Sequence, residues 1–443
     1  MQYPLMFCLR QKLENPTLAN VAHAIDVELS RLYLKNLVKP GDTVAITCGS
    51  RGIANYAVII KAVVDHFKKL NTKPFLVPAM GSHGGGTAEG QRQMLESLGI
   101  REDVIGAEIR SSMETEIIGQ LAAGIPVHRD KIALSAEHTV VVNRVKLHTM
   151  FHKSVQSGLL KMMAMGLGKL NGAQLYHKAA EDYPFEEIAR GVHKVMSEKA
   201  NILAGLMVVE NAQEQTARVE AALPADFVEN EMSLLHYSRK LFPLLPFKTI
   251  DILLVDEIGK IFSSFGADSN VTGRNYYAHA AAEGEFPKIR TIVYRDLHPK
   301  SHGNAIGVGH AEFVRSRLVR KMDAETTRLN SLTAGMPTLA AVPVDYETDR
   351  EILDAAFSLI GLTPSSRAKI VWIRNTASLR DLECSEAYVE EVNQREDLSV
   401  RSGLHPLDFN YNGNLRDFVT EHDECPEAME MGSQANTLQF PGL

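Results

Sequence analysis

The 443-residue sequence holds one tryptophan and four cysteines, and no apolar run approaches the ~18 residues of a membrane-spanning helix. It has no excess of positive charge either. Against 47 Lys+Arg stand 54 Asp+Glu, a formal net charge of −7 and a pI near 6.2. A nucleic-acid binder would carry a basic face, so none is expected as a partner, and no membrane is expected. Cys8, Cys48, Cys384 and Cys425 form no CxxC or CxxH spacing, which argues against a cysteine-held zinc. Four scattered thiols fit a reducing cytoplasm better than a disulfide framework. The start, "MQYPLMFCLRQKLENP", lacks the basic stretch and apolar core of a signal peptide. A metal here would rely on histidine, carboxylate or a cofactor.

What is present is alternation. The chain is 45 % hydrophobic and 23 % charged, and its length points to two domains. "DTVAITCGSRG" reads as a buried strand ending in a glycine-flanked turn, and "ANYAVIIKAVVDHFKKL" follows with helical spacing. "KPFLVPAM" is a second strand, "GSHGGG" a loop, and "TAEGQRQMLESLGI" a helix with Thr87 as N-cap and Gly99 at its end. "HTVVVNRVKLHT" and "ANILAGLMVVENA" continue the pattern. After an irregular connection, "TIDILLVDEIG", "IRTIVYRDL", "PTLAAVPV" and "AKIVWIRN" resume it. The expected fold is therefore α/β, with two α/β domains of mostly parallel sheet covering 1–247 and 248–443, and an active site in the cleft between them. Ligands of such sheets bind beyond the carboxyl ends of the strands. Arg51, His83, Lys146 and His148 all fall just there.

The densest chemistry lies in "VKLHTMFHKSVQSGLLKMMAMGLGKLNGAQLYHKAA", Val145 to Ala180, with three histidines and five lysines. Its glycines recur too often for an ordinary helix interior. Lys161, set among apolar and small residues, is either a snorkelling surface lysine or a working amine. His83 by itself is either a surface residue or a catalyst. His152, four residues from His148, could pair with it on a metal only if both lay on a helix, so a surface role is expected. Asp256, Glu257 and Lys260 follow a strand and either structure a loop or touch a ligand. The methionines at 162, 163 and 165 read as packing.

Taken together, "GSHGGGTAEGQ", "VKLHTMFHKSVQSGLLKMMAMGLGK", "DEIGKIFSSFGADSNVTGR" and "SHGNAIGVGHAEF" resemble the nickel-dependent lactate racemase (LarA-type) family, in its broad branch of 2-hydroxyacid racemases and epimerases. The resemblance runs from about Ala45 to about Asn375. It implies an isomerase that uses a nickel-pincer nucleotide, a pyridinium-3-thioamide-5-thiocarboxylate mononucleotide holding nickel through sulfur, carbon and sulfur. By this resemblance Lys161 matches the lysine that tethers the cofactor, and His177, sixteen positions later, matches the histidine that ligates nickel. His83 and His148 match the two catalytic histidines, one expected on each face of a planar 2-oxo acid intermediate. Arg51 matches an arginine that would fork onto the substrate carboxylate. Gly84 and Gly85 are expected to let backbone approach the cofactor.

The sequence departs from the racemase that gives the family its name. In "DSNVTGR" the tyrosine–glutamine pair of the family motif and the lysine after it are replaced by Thr272, Gly273 and Arg274, so an aromatic wall is missing and Arg274 is a second cation expected at the substrate. That replacement puts lactate itself in doubt and would suit a larger or more polar 2-hydroxy acid. His302 and Asn304 in "SHGNA" resemble a family motif without an assigned role. Two other classes stay open: a zinc hydrolase or lyase with His83, His148 and His177 as ligands, and a nucleotide-binding homologue without catalysis. A homo-oligomer is compatible with all three.

Overall fold

The computed structural model describes residues 2–50, 52–151, 153–180, 182–274 and 287–418. The chain forms two compact units, Glu14–Phe242 and Met1–Leu13 with Pro243–Leu443.

In the first unit four parallel strands lie in the order Lys73–Pro78, Thr43–Cys48, His138–Arg144 and Ile202–Glu210, and Thr216–Ala222 closes the edge antiparallel. Their residues are almost continuously apolar because both faces are covered. Successive side chains go to opposite faces. Val140 and Val142 join the core packed by the helices Val21–Arg31 and Tyr56–Lys69, while Val141 joins the core packed by Phe185–Lys199 and Phe227–Leu241. The helix Ala88–Ser97 starts as its sequence signals: Thr87 Oγ1 accepts from the Gly90 amide at 3.1 Å.

The second unit holds an eight-stranded sheet. Val344–Tyr346, Phe313–Arg315, Lys288–Leu297, Thr249–Ile258 and Ile370–Ile373 run parallel. Asp381–Ser385, Met6–Gln11 and Leu398–Val400 extend it antiparallel. The units part at Phe242/Pro243 where 247/248 was expected, and the first residues of the chain cross over. Met6–Gln11 is paired on both edges within this second sheet, Phe7 opposite Cys384 and Leu9 opposite Val400, so the first residues of the chain belong to the second unit. "PTLAAVPV" is not one strand. Pro337–Ala340 makes a 3₁₀ turn, because Pro337 lacks the amide a ladder needs, and the short strand Val344–Tyr346 follows. Among the described residues no helix is long and apolar enough to cross a membrane.

Candidate active site

Three loops of the first unit meet around one irregular helical turn. The helix Gly158–Lys161 passes directly into a π-helical turn, Met162–Gly166, a local widening often found at functional sites. The loop after Thr43–Cys48 places Gly49 against it: a Cβ there would lie 3.1 Å from Met162 Cε. The loop after Lys73–Pro78 turns at Gly81, whose φ is +60° and where a Cβ would lie 3.1 Å from both Ala173 Cβ and the Met165 carbonyl. Only glycine allows that turn and that approach. The buried ion pair of Lys169 and Asp130, 2.8 Å apart with both side chains fully buried, fixes the start of the next helix, Lys169–Ala179. Lys169 Nζ also donates to the Pro78 carbonyl at 2.5 Å, which ties the end of the His83-bearing strand to the helix that carries His177.

His83 is exposed, and its Nδ1 lies 2.5 Å from Ser50 Oγ. The bond joins the "GSRG" and "GSHG" loops. Buried Gln91 holds the His83 backbone from behind, its Nε2 donating to the carbonyls of Gly81 at 2.8 Å and His83 at 3.2 Å. Of the two glycines expected at a cofactor, Gly84 has an internal reason to be glycine: a Cβ would meet the Gly90 carbonyl carbon at 2.6 Å. At Gly85, with φ +66°, a Cβ would meet nothing within 4 Å.

His148 is half-buried and held on three sides. Its amide donates to Gln156 Oε1 at 2.9 Å. Its Nδ1 accepts from the amides of Met150 at 3.1 Å and Phe151 at 3.3 Å. Its ring stacks on Phe151, centroids 4.6 Å apart, and Phe151 stacks on Phe185 at 4.0 Å. Ser157 Oγ closes the same loop, accepting from the Lys146 amide at 2.7 Å and donating to its carbonyl at 2.6 Å.

Lys161 is half-buried, its ammonium 5.4 Å from the centre of the Phe151 ring. It stands near enough to His177 to act on its charge. The His177 imidazole is held below its ordinary pKa, first by the protein packed around it and second by the Lys161 ammonium. His177 is exposed at its surface. His148 thus stacks on Phe151, Lys161 lies over the same ring, and the Lys161 charge reaches His177.

Arg51 and His152 lie outside the described residues. The Arg274 side chain is 3 % exposed, and its Nη2 reaches both oxygens of Glu312, at 2.9 and 2.8 Å. Asp256 is structural: it pairs with buried Arg295 and accepts from Trp372 Nε1 at 2.6 Å. Lys260 donates to Asn330 at 2.5 Å, and Asn304 Oδ1 accepts from the Ile306 amide at 3.2 Å, so both shape loops. Ser50, Gln91, Phe151, Gln156 and Glu231 escaped the sequence reading. Ser50, Gln91, Phe151 and Gln156 sat inside quoted stretches without being singled out, and nothing marked Glu231.

A metal held by protein alone needs three or four donors in one place. Among the described residues no group of three His, Cys, Asp or Glu is placed to hold one, so His83, His148 and His177 do not assemble the zinc centre considered from sequence. A group that brings its own sulfur and carbon donors asks less of the protein. One neutral imidazole and one amine beside it are enough, and His177 with Lys161 supply them. The residues fit such a group.

The histidines at 83 and 148 follow strands of a parallel sheet, and Lys161 ends the short helix Gly158–Lys161, in an α/β protein. Residues 9–184 match the family model of the lactate racemase N-terminal domain. The matched stretch contains His83, His148, Lys161 and His177. The lactate racemase apoprotein from Thermoanaerobacterium thermosaccharolyticum has the same fold, with a TM-score of 0.56 at 13 % identity over 83 % of this chain and 94 % of that one. A structural-genomics protein from Thermotoga maritima aligns with a TM-score of 0.51 at 13 % identity over 83 % of this chain and 99 % of that one. No curated protein matches the sequence.

Proposed function

We propose that the protein is a racemase or epimerase of a 2-hydroxy acid that works with a nickel-pincer nucleotide. The carrying observation is the pairing of Lys161 with His177, at the family's spacing and within electrostatic reach of each other. Lys161 would hold the cofactor and His177 the nickel. When bound, the group supplies a hydride acceptor and donor, which avoids a poorly stabilised carbanion beside a carboxylate.

The remaining work falls to the chain itself. Arg51 would orient the substrate carboxylate. His83 and His148 would serve the substrate oxygen, which is a hydroxyl in the acid and a carbonyl in the 2-oxo intermediate. A depressed pKa keeps His177 neutral near pH 7, the form that can ligate a metal.

The test is to produce the chain with and without the pincer-synthesising enzymes and record intact mass, absorption spectrum and interconversion of pure 2-hydroxy acid enantiomers. Activity and a cofactor chromophore should appear together and only in the first preparation. Turnover by cofactor-free protein would falsify the reading.

A further inference from the structure

In the second unit, three side chains of complementary chemistry converge on one face of the sheet. Cys8, in the strand Met6–Gln11, lies directly opposite Glu383 of the antiparallel strand Asp381–Ser385, so the two side chains share a face. On the other edge of the same strand, Met6 and His405 exchange backbone hydrogen bonds of 2.7 and 2.8 Å. That pairing puts His405 on the face of Met6 and, two residues along, of Cys8. The imidazole then crosses the strand: its Nε2 comes within 3.8 Å of Glu383 Oε2 on the far side. The path leads past Cys8, whose thiol is a hydrogen-bond partner of the ring.

Each group has a defined part. His405 Nδ1 lies 3.3 Å from the Pro406 carbonyl, which can only accept. The neutral ring therefore carries its proton on Nδ1 and keeps the Nε2 lone pair toward Cys8 and Glu383. Glu383 is 2 % exposed, and its Oε1 pairs with Arg416, whose guanidinium lies over the Trp372 ring at 5.3 Å. Among the described residues its Oε2 meets no hydrogen-bond donor. A buried carboxylate in that position favours a cation beside it, and His405 becomes that cation by taking the Cys8 proton. The ring is held above its ordinary pKa, first by the bond with Cys8 and then by Glu383 and the Pro406 carbonyl, against the effect of burial. Burial pushes the Glu383 carboxyl up in turn, opposed by Arg416 and His405. Further along this face Arg10 and Asp381 pair with each other at 2.5 Å.

We propose that Cys8, His405 and Glu383 form a reactive site of their own, in which Cys8 is an activated thiol that exchanges with small disulfides. The proposal does not depend on the racemase reading. Cys8 is present as a thiol and is half-buried, and the His405 side chain is 31 % exposed, so the site reaches solvent. The thiolate attacks one sulfur of the disulfide and forms a new S–S bond. The old S–S bond breaks, and its other half leaves as a thiolate that takes the proton from His405. The protein ends with a mixed disulfide at Cys8 and a neutral imidazole.

The experiment uses the full-length reduced protein. Oxidised glutathione is added and modified peptides are mapped by mass, with Cys8→Ser as the variant that should lose the adduct. Cys48 and Cys384 are buried and should stay unmodified. Alkylation of Cys8 by iodoacetamide is then timed from pH 6 to pH 8. An ordinary thiol, with a pKa of about 8.5, speeds up nearly a hundredfold over that range as its thiolate fraction grows. A thiolate already paired with His405 should speed up less than about threefold. His405→Gln should restore the steep rise, and Glu383→Gln should move the profile toward it. No adduct at Cys8, or a steep rise in the parent protein, overturns the proposal, and neither result requires a variant to fold. A profile left flat by either substitution overturns the part given to that residue.

Discussion

The carboxyl group of Glu231 fills the space that a side chain at position 158 would occupy. A Cβ on Gly158 would lie 2.4 Å from Glu231 Cδ, and the Gly158 φ of +76° is itself unfavourable for any other residue. Glu231, on the helix Phe227–Leu241, accepts from the Leu160 amide at 3.1 Å. It thereby satisfies a free amide at the start of the short helix that presents Lys161.

Gly158→Ala should therefore be costly. A left-handed backbone costs a non-glycine residue ~1–2 kcal/mol, and overpacking a buried site about 1–3 kcal/mol more. The midpoint of thermal unfolding should fall, and hydrogen exchange at residues 158–161 should quicken. In a Glu231→Ala background the steric part should vanish, so the two effects should combine to less than their sum. Strict additivity would show that the two residues do not compete for the same space.

Glu231 also predicts a pH dependence. Burial, opposed by the amides of Leu160 and Leu159 and by Arg190, pushes its pKa up to about 8. A folded-state pKa above the ordinary carboxylate value means that the folded state holds the proton longer than the unfolded one. The stabilisation is complete below about pH 4.5 and is lost as pH rises through about 8. Glu231→Gln removes the titration while keeping a carbonyl acceptor, so the variant's melting temperature should decline less than the parent's between pH 6 and pH 9. Parallel declines would mean that Glu231 is not the titrating group.

Lys161 should be visible in the titration of His177. Replacing the ammonium with an apolar chain of similar length, Lys161→Met, should raise the His177 pKa in NMR titration of cofactor-free protein, because one of the two depressing causes is gone. In loaded protein the same change should abolish any covalent adduct in the intact mass.

His177→Ala should cost nickel retention. Loss of a group that merely supports a metal ligand costs ~10–100-fold in affinity, and loss of the ligand itself should cost more. Metal content after gel filtration decides this. Unchanged nickel in His177→Ala would remove His177 from the metal.

The Lys169–Asp130 pair should tolerate joint but not single replacement. Lys169→Met leaves a buried carboxylate uncompensated, which typically costs about 3–5 kcal/mol, and it also frees the Pro78 carbonyl beneath the His83 loop. Lys169→Met with Asp130→Asn should recover part of that loss. Denaturant unfolding followed by a probe in the first unit measures both.

The sequence alone determined the α/β class, because continuous apolar strands alternating with 3.6-period helices bury both faces of a parallel sheet in only a few ways. It also placed His83 and His148 beyond strand ends, and Lys161 and His177 in one glycine-rich stretch, because these are facts of local order along the chain. Tertiary structure alone decided where Met6–Gln11 pairs, since strand partners nearly four hundred residues apart leave no local mark. It decided that Arg274 pairs with Glu312, a carboxylate thirty-eight positions away that no motif announces. It decided, too, that Ser50 Oγ meets His83 and that two backbone amides meet the His148 ring, because hydrogen-bond geometry is set in three dimensions and the identity of a histidine carries no trace of it.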